Sequence, residues 1–449
     1  MPERTARQRP RHEVDPARIA AFELLRAVDE QGAYANLALA RLLDMHRLSG
    51  RDAGLATELG YGTLRSLGTL DEIIARCADR SLADVDPGVL DLLRIGTYQA
   101  LRTRVPPHAA VATTVDLAHA VGHGRAGGFV NAVLRRVVVY SWATWMDELS
   151  AGAGPVRALS IRTAHPEWIV EAFAAALGHD LDETGRALAA DDERPSTHLV
   201  AWPGRSTPAE LLAGAAGEPG PYSPFAVRMA GGDPAAIAAV RERRAGVQDE
   251  GSQLCALALA AAPLEGRDER WLDLCAGPGG KAALLAALAA ERGARVTANE
   301  LREHRAELTR RVTAPWSVEV HVGDAREFPS MTGGYDRVLV DAPCTGLGAL
   351  RRRPEARWRR RAEDVPQLVA LQRALLAAAL RLVRPGGVVG YVTCSPHPAE
   401  TSEIVAGHTV LDARPAFPGV DQLGDGPTVQ LWPHRHGTDA MFCALIRPA

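Results

Sequence analysis

At 449 residues and 47% hydrophobic content, the chain is long enough for about three ordinary domains and apolar enough to bury large cores, which excludes a disordered protein. Six cysteines without regular spacing argue against a disulfide framework and for a reducing compartment, and no C-x-x-C or His/Cys cluster suggests zinc or another metal. The net charge of −3 says nothing about nucleic acid, the polar, basic start "MPERTARQRPRHEVDP" has no signal-peptide core, and no uncharged apolar run reaches the about 18 residues of a membrane span, so a cytoplasmic protein is expected.

Residues 1–14 read as a flexible tail. Asp15-Pro16, an N-cap followed by a first-turn proline, precedes "ARIAAFELLRAV", whose apolar residues recur at helical spacing. The same period continues through "AYANLALARLL", "RDAGLATELGYGTLRSL", "LDEIIARCA", "PGVLDLLRIGTYQALR", "PHAAVATTVDLAHAV" and "GGFVNAVLRRVVVYS", which predicts an all-α domain over 15–140. Residues 141–262 are expected to hold a linking helix, "HPEWIVEAF", and a small α+β module in which "STHLVAW" is strand-like and "AGEPGPYSP" is a turn. From 263 to 449 short apolar runs ("WLDL", "ARVTAN", "VEVHVG", "DRVLVD", "GVVGYVT") alternate with longer helical segments. Strands apolar on both faces belong to a parallel sheet covered by helices, so a doubly wound α/β, Rossmann-like domain is predicted, with its ligand at the carboxyl ends of the strands.

The residues singled out stand at such ends. The first strand closes with Asp273 and runs into Cys275, Ala276, Gly277, Pro278, Gly279, Gly280 and Lys281, a loop whose glycines allow a sharp turn and a close approach to a ligand at a helix start. The spacing is not G-x-G-x-x-G. Glu300 ends the second strand, where a carboxylate could accept from ribose hydroxyls, and Asp324 closes the third, where it could lie near an adenine. This pattern points to a nucleoside cofactor; the alternative is a structural turn with a solvated glutamate. Of the 51 basic residues only Lys281 is a lysine, and a slender ammonium suits a tight loop that a guanidinium would not enter. Two cysteines end similar apolar runs, Cys344 in "VLVDAPCTG" and Cys394 in "YVTCSP". Cys77, Cys255 and Cys443 read as buried apolar residues.

"DLCAGPGGK", "DAPCTG" and "TCSPHPAE", in this order and spacing, resemble the RNA cytosine-C5 methyltransferases of the RsmB/Sun family. "ELGYGTLR" and "FVNAVLRR" resemble the NusB-like RNA-binding domain of its ribosomal branch, and "VQDEGSQL" and "HGTDAMFCALI" fit as well, so the likeness spans nearly the whole chain. Gly277, where alanine is commoner, and Glu300, where aspartate is commoner, are the visible departures. The resemblance implies S-adenosylmethionine, contacted by Cys275 to Lys281 and by Glu300, Asp324 and Asp341. It also implies that Cys394 is the nucleophile, that Cys344 assists release of the methylated RNA, and that Asp341 bonds the N3/N4 edge of the cytosine.

Such chemistry has use for two thiols. C5 of cytosine is too weak a nucleophile to attack a sulfonium methyl unaided, and a thiolate adding to C6 makes C5 nucleophilic. After methyl transfer the C5 proton must leave and the thioether must be eliminated, where a second thiol can help. The run "RRRPEARWRRR", residues 351 to 361, follows the Pro-Cys loop directly. Arg351, Arg352, Arg353 and Arg357 suit phosphate, and Trp358 could stack on a base or anchor the segment; the plainer reading is a solvated helical face. The expected activity is methylation of a cytidine in small-subunit ribosomal RNA, unstacked to reach the site, by a monomer without metal. The same chemistry on tRNA, or a non-catalytic assembly or antitermination factor, are the alternatives.

Overall fold

The structure is a computed structural model that describes residues 14–329 and 333–448; the expected tail lies, except for Val14, outside them. The chain forms two compact units, one of residues up to Val170 together with Arg353–Arg359, the other of Glu171–Arg352 and the chain from Arg360 onward.

The first unit is helical: Pro16–Gln31, Ala35–Met45, Gly50–Cys77, Pro87–Arg102, Pro107–Ala120, Gly127–Val137, Trp142–Ser150 and Pro155–Thr163. Its first helix starts as the sequence predicts. The Asp15 carboxylate accepts from Ala17 N at 2.9 Å, Pro16 fills the first turn, and Gly32 ends the helix at φ 61°. Asp86 and Pro87 repeat the device, with Asp86 accepting from Val89 N at 3.1 Å. Two segments that the sequence separates form one helix of 28 residues, Gly50–Cys77. Gly62 serves close contact: a Cβ there would stand 2.0 Å from the Tyr98 ring. The helical unit also continues past residue 140, because Trp145, Met146, Leu149 and Ile161 join the cluster of Leu59, Leu70, Ile73 and Val133. Helices of nine residues cannot bury an apolar face alone, so they add to the core already present.

The second unit holds two sheets. The smaller is antiparallel, with β1 (Thr197–Ala201), β2 (Gly217–Pro219), β3 (Ala226–Met229) and β4 (Ala245–Val247) in the order β2-β3-β1-β4. The larger contains β5 (Arg270–Asp273), β6 (Arg295–Glu300), β7 (Glu319–Val322), β8 (Tyr335–Asp341), β9 (Val383–Thr393), β10 (Thr409–Leu411), β11 (Val429–Gln430) and β12 (Phe442–Arg447). Their order is β10-β12-β9-β8-β5-β6-β7, with β11 beside β12; β9 through β7 are parallel and β12 is antiparallel. Both faces are covered. Trp271 and Leu339 point into one apolar cluster with the helices Glu250–Ala261 and Gly280–Glu291, while Leu272, Val338 and Val340 point into another with Val365–Leu382. This alternation explains why the strands read as unbroken apolar runs. The stretch Ala362–Leu382 is apolar and long enough to cross a membrane by length and composition, but Leu375, Leu376, Ala379 and Leu382 are buried against the sheet. The strand order reverses between β5 and β8, the place where such sheets open a crevice for ligands.

Candidate active site

Neighbouring parallel strands end side by side, and here β8 and β9 each carry a cysteine just beyond the end. Asp341, the last residue of β8, pairs in register with Val392 of β9. Beyond them the Pro343-Cys344 loop and Cys394 bring two sulfurs to 3.5 Å, although 50 residues separate them in sequence. Both thiols are half-buried. The hydrogen bond to Cys394, and after it burial, push the Cys344 thiol well above its ordinary pKa, so Cys344 keeps its proton. Lys281 Nζ lies 2.9 Å from Asp341 Oδ2. Burial opposes its charge, but Asp341 and the nearby thiols more than offset this and hold the ammonium above its usual range. The single lysine thus joins the glycine loop to the cysteine pair.

The loop itself is built at the ends of β5 and β6. Cys275 N donates to Asp273 Oδ1 at 3.3 Å, and burial raises the Cys275 thiol. The other oxygen of Asp273, Oδ2, is buried and has no hydrogen-bond partner among the described residues. Burial first, and then the charge of Asp341, lift this carboxyl to about 8. Ala276 N donates to Asn299 O at 2.8 Å, the Gly277-Pro278 bond is cis, and Gly279 takes φ 110° so close to Thr309 that a Cβ would stand 2.9 Å from its Cα. Gly280 then opens the helix that carries Lys281. Glu300 is fixed by two backbone donors, Gly277 N at 3.0 Å and Arg302 N at 2.9 Å. Asp324 lies past the end of β7 and caps a short turn, where the Arg326 guanidinium holds it down to about 2.

Comparison with known proteins gives this arrangement a family. A family model described as 16S rRNA methyltransferase RsmB/F matches residues 259–447, and one for the NusB family matches 15–139. Ribosomal RNA small subunit methyltransferase B of Salmonella paratyphi B is 33% identical over 442 residues, covering 96% of this chain and 98% of the relative. The chain belongs to the RsmB/F family of 16S rRNA methyltransferases. A Mycobacterium tuberculosis protein, Rv1407, is 55% identical over 453 residues, covering 99% and 98% of the two chains. Among solved structures, PH0851 shares the fold at 23% identity with a TM-score of 0.77 over 97% of this chain and 99% of that one.

Within this family member the arginine run needs correction. Arg351 is only 6% exposed, with its guanidinium on Asp439 at 2.9 Å and on Asp249 at 3.4 Å; Arg352 reaches Asp249 at 2.7 Å and Asp439 at 2.9 Å. Burial alone would raise Asp249, but His198 and the two guanidiniums hold it below the usual carboxylate range. Arg357 is fully buried and donates to the carbonyls of Arg65 and Ala164 at 3.0 and 3.1 Å. Neither Arg351 nor Arg357 can meet a phosphate, because buried acceptors already hold them. The Trp358 indole lies against Gly68 and donates to Leu64 O at 2.7 Å, which favours the anchoring role over base stacking. Arg353 is exposed, 5.4 Å from the centre of the Tyr34 ring.

Two residues at the centre of the site, Glu400 and Gln372, escape a reading of the sequence by chemistry. Glu400, fully buried, accepts from Thr345 N at 2.8 Å, from Gln372 Nε2 at 3.0 Å and from Ser395 Oγ at 2.7 Å, and also from the Thr345 hydroxyl. Gln372 donates in addition to Pro343 O at 2.9 Å. Asp273 is legible as a strand-end acid, but that its Oδ2 meets no hydrogen-bond partner among the described residues is visible only in the fold. One signal was present: each cysteine is followed by a hydroxyl residue, Thr345 after Cys344 and Ser395 after Cys394.

Proposed function

We propose that the protein transfers a methyl group from S-adenosylmethionine to C5 of a cytidine in small-subunit ribosomal RNA, through a transient bond between Cys394 and C6 of the ring. The 3.5 Å separation of the Cys344 and Cys394 sulfurs beside the Asp341–Lys281 pair carries this reading. The residues around the glycine loop fit the cofactor: the unpartnered Oδ2 of Asp273 suits its ammonium group, and Glu300, already accepting from backbone N–H groups, suits ribose hydroxyls. When bound, S-adenosylmethionine supplies an electrophilic methyl group.

The chain's own residues do the rest. Asp341, 2.9 Å from Lys281, can accept from the cytosine amino group, and Lys281 is itself a donor at the same edge. Cys394, as thiolate, adds to C6 and the displaced ring electrons make C5 nucleophilic. Cys344 keeps its proton in the resting site. After methylation the C5 proton passes to solvent, its C–H electron pair re-forms the C5–C6 double bond and Cys394 leaves C6 as thiolate, with Cys344 assisting this release. A ribosomal substrate implies a cytoplasmic protein.

Incubating purified protein with ribosomal RNA and cofactor tests the proposal. Cys394→Ala is expected to give neither product nor adduct, and Cys344→Ala to accumulate a covalent protein–RNA complex on a denaturing gel. The reverse pattern would exchange the two roles. Wild type that retains RNA and cofactor without methylating either ribosomal RNA or tRNA would overturn catalysis in favour of an assembly factor, and methylation of tRNA alone would move the substrate.

A further inference from the structure

Both cysteine loops depend on a carboxylate that no substrate can touch. Glu400 is completely buried, yet it lies directly behind the two thiols and ties three pieces of chain together. One oxygen, Oε1, accepts from Thr345 N and from Gln372 Nε2; the other, Oε2, accepts from the hydroxyls of Thr345 and Ser395. Four donors fill the about four lone-pair positions of a carboxylate. Its backbone is fixed as well, since Tyr391 OH donates to Glu400 O at 2.9 Å.

The donors are not scattered. Thr345 adjoins Cys344 and Ser395 adjoins Cys394, and their hydroxyls stand 3.1 Å apart on the same oxygen. Gln372 extends the grip to Pro343 O, on the other side of Cys344. Burying a carboxylate is costly unless every lone pair is satisfied, and apolar side chains pack a strand end at less cost, so packing does not account for Glu400. What the arrangement fixes is the distance between residues 344–345 and residues 394–395, hence between the two sulfurs.

We infer that Glu400 is a positioning residue that sets the Cys344–Cys394 spacing, holding one thiol at the ring carbon that is attacked while the other reaches its neighbour. The catalytic meaning rests on the two-cysteine function proposed above; the spacing itself does not. A separate set of ties between the loops exists, Gly348 N to Cys394 O at 2.9 Å and Ala342 N to Val392 O at 2.8 Å, and these provide the competing explanation.

Oxidation of the full-length protein with diamide measures the spacing without any methyl transfer. The two thiols give up two protons and two electrons to form one disulfide, and the diazene is reduced to a hydrazine. Mass spectrometry of peptides follows the Cys344–Cys394 product. Glu400→Ala is expected to slow this disulfide at least about tenfold, because the alanine leaves four donors without their acceptor. Glu400→Gln is expected to remain within about threefold of wild type, since the amide oxygen can serve Thr345 N and Gln372 Nε2 while the two hydroxyls rotate to accept from its NH2. Ser395→Ala and Thr345→Val, which keep the carboxylate, are expected to slow the reaction about threefold each and decide the matter if Glu400→Ala fails to fold. Rates unchanged in folded Glu400→Ala, or unchanged in both hydroxyl variants, would overturn the inference and leave the backbone ties as the cause. If wild type forms the disulfide readily but methylates nothing, the proposed function fails and the positioning role stands.

Discussion

Gly277 and Glu300, the two departures from the family resemblance, form one feature in the structure. A Cβ at residue 277 would stand 2.1 Å from Glu300 Oε2 and 2.8 Å from its Cδ. Ordinary contact lies near about 3.5 Å, so Gly277→Ala must displace the carboxylate by about 1 Å or more. Glu300 has little freedom to retreat, since both of its oxygens are held by backbone N–H groups. Overpacking of this kind costs about 1–3 kcal/mol, equivalent to about five- to 150-fold in affinity for S-adenosylmethionine if Glu300 binds its ribose. Glu300→Asp alone shortens the side chain by one methylene and is expected to weaken binding about tenfold by loss of reach. In the double variant the alanine methyl takes the space that the methylene leaves, and affinity should return to within about threefold of wild type, a favourable coupling of about 2–4 kcal/mol. Isothermal titration of the four proteins with the cofactor measures each corner of the cycle. Additive losses, with the double variant as weak as the product of the singles, would refute the steric pairing.

Other variants test the buried charges and the anchored segment. Asp273 holds its proton up to about pH 8 when folded, whereas an ordinary aspartate releases it near about 3.9, so between these values the folded chain binds the extra proton and this group lowers stability as pH rises. Asp273→Asn should therefore gain thermal stability over wild type from about pH 5 to pH 8 while losing at least about tenfold in cofactor affinity; a melting difference that does not change with pH would contradict this. Removing Arg351, as Arg351→Ala, leaves Asp249 and Asp439 short of a buried partner and is expected to cost about 3–5 kcal/mol in denaturant unfolding. Trp358→Ala should destabilise the helical unit by about 2–4 kcal/mol while leaving the affinity of the folded protein for RNA unchanged, since its indole is an anchor; weaker RNA binding with unchanged stability would restore it to the RNA surface.

The sequence made visible what depends on local pattern. Asp15-Pro16 announces the first helix because the cap and the fixed proline act within one turn. The sheet strands announce themselves because both faces are covered. Two similar strand-end settings singled out Cys344 and Cys394, its rarity singled out Lys281, and the family resemblance added Asp341; the topology brings them together at adjacent strand ends. What stayed hidden is the partner of each charge. Seven arginines in eleven residues look like a phosphate surface until Asp249, 102 residues before Arg351, and Asp439, 87 residues after Arg352, arrive beside them. Pairing of that kind is a property of the fold, and no window of sequence contains both members.

Glu400 lies between these cases, and the reason is physical. It belongs to the motif "TCSPHPAE", but its four donors come from Thr345, Gln372 and Ser395, so its role is divided among three segments. The trace that reaches the sequence is the hydroxyl residue after each cysteine. Two loops that must present thiols at one distance need a common reference, and a buried acceptor with no proton to donate is such a reference, because it draws donors from both sides and repels no part of either. Paired Cys-Thr and Cys-Ser steps at the ends of adjacent parallel strands, followed by an acidic residue one turn later, therefore form a pattern that points to a shared carboxylate as well as to two reactive sulfurs.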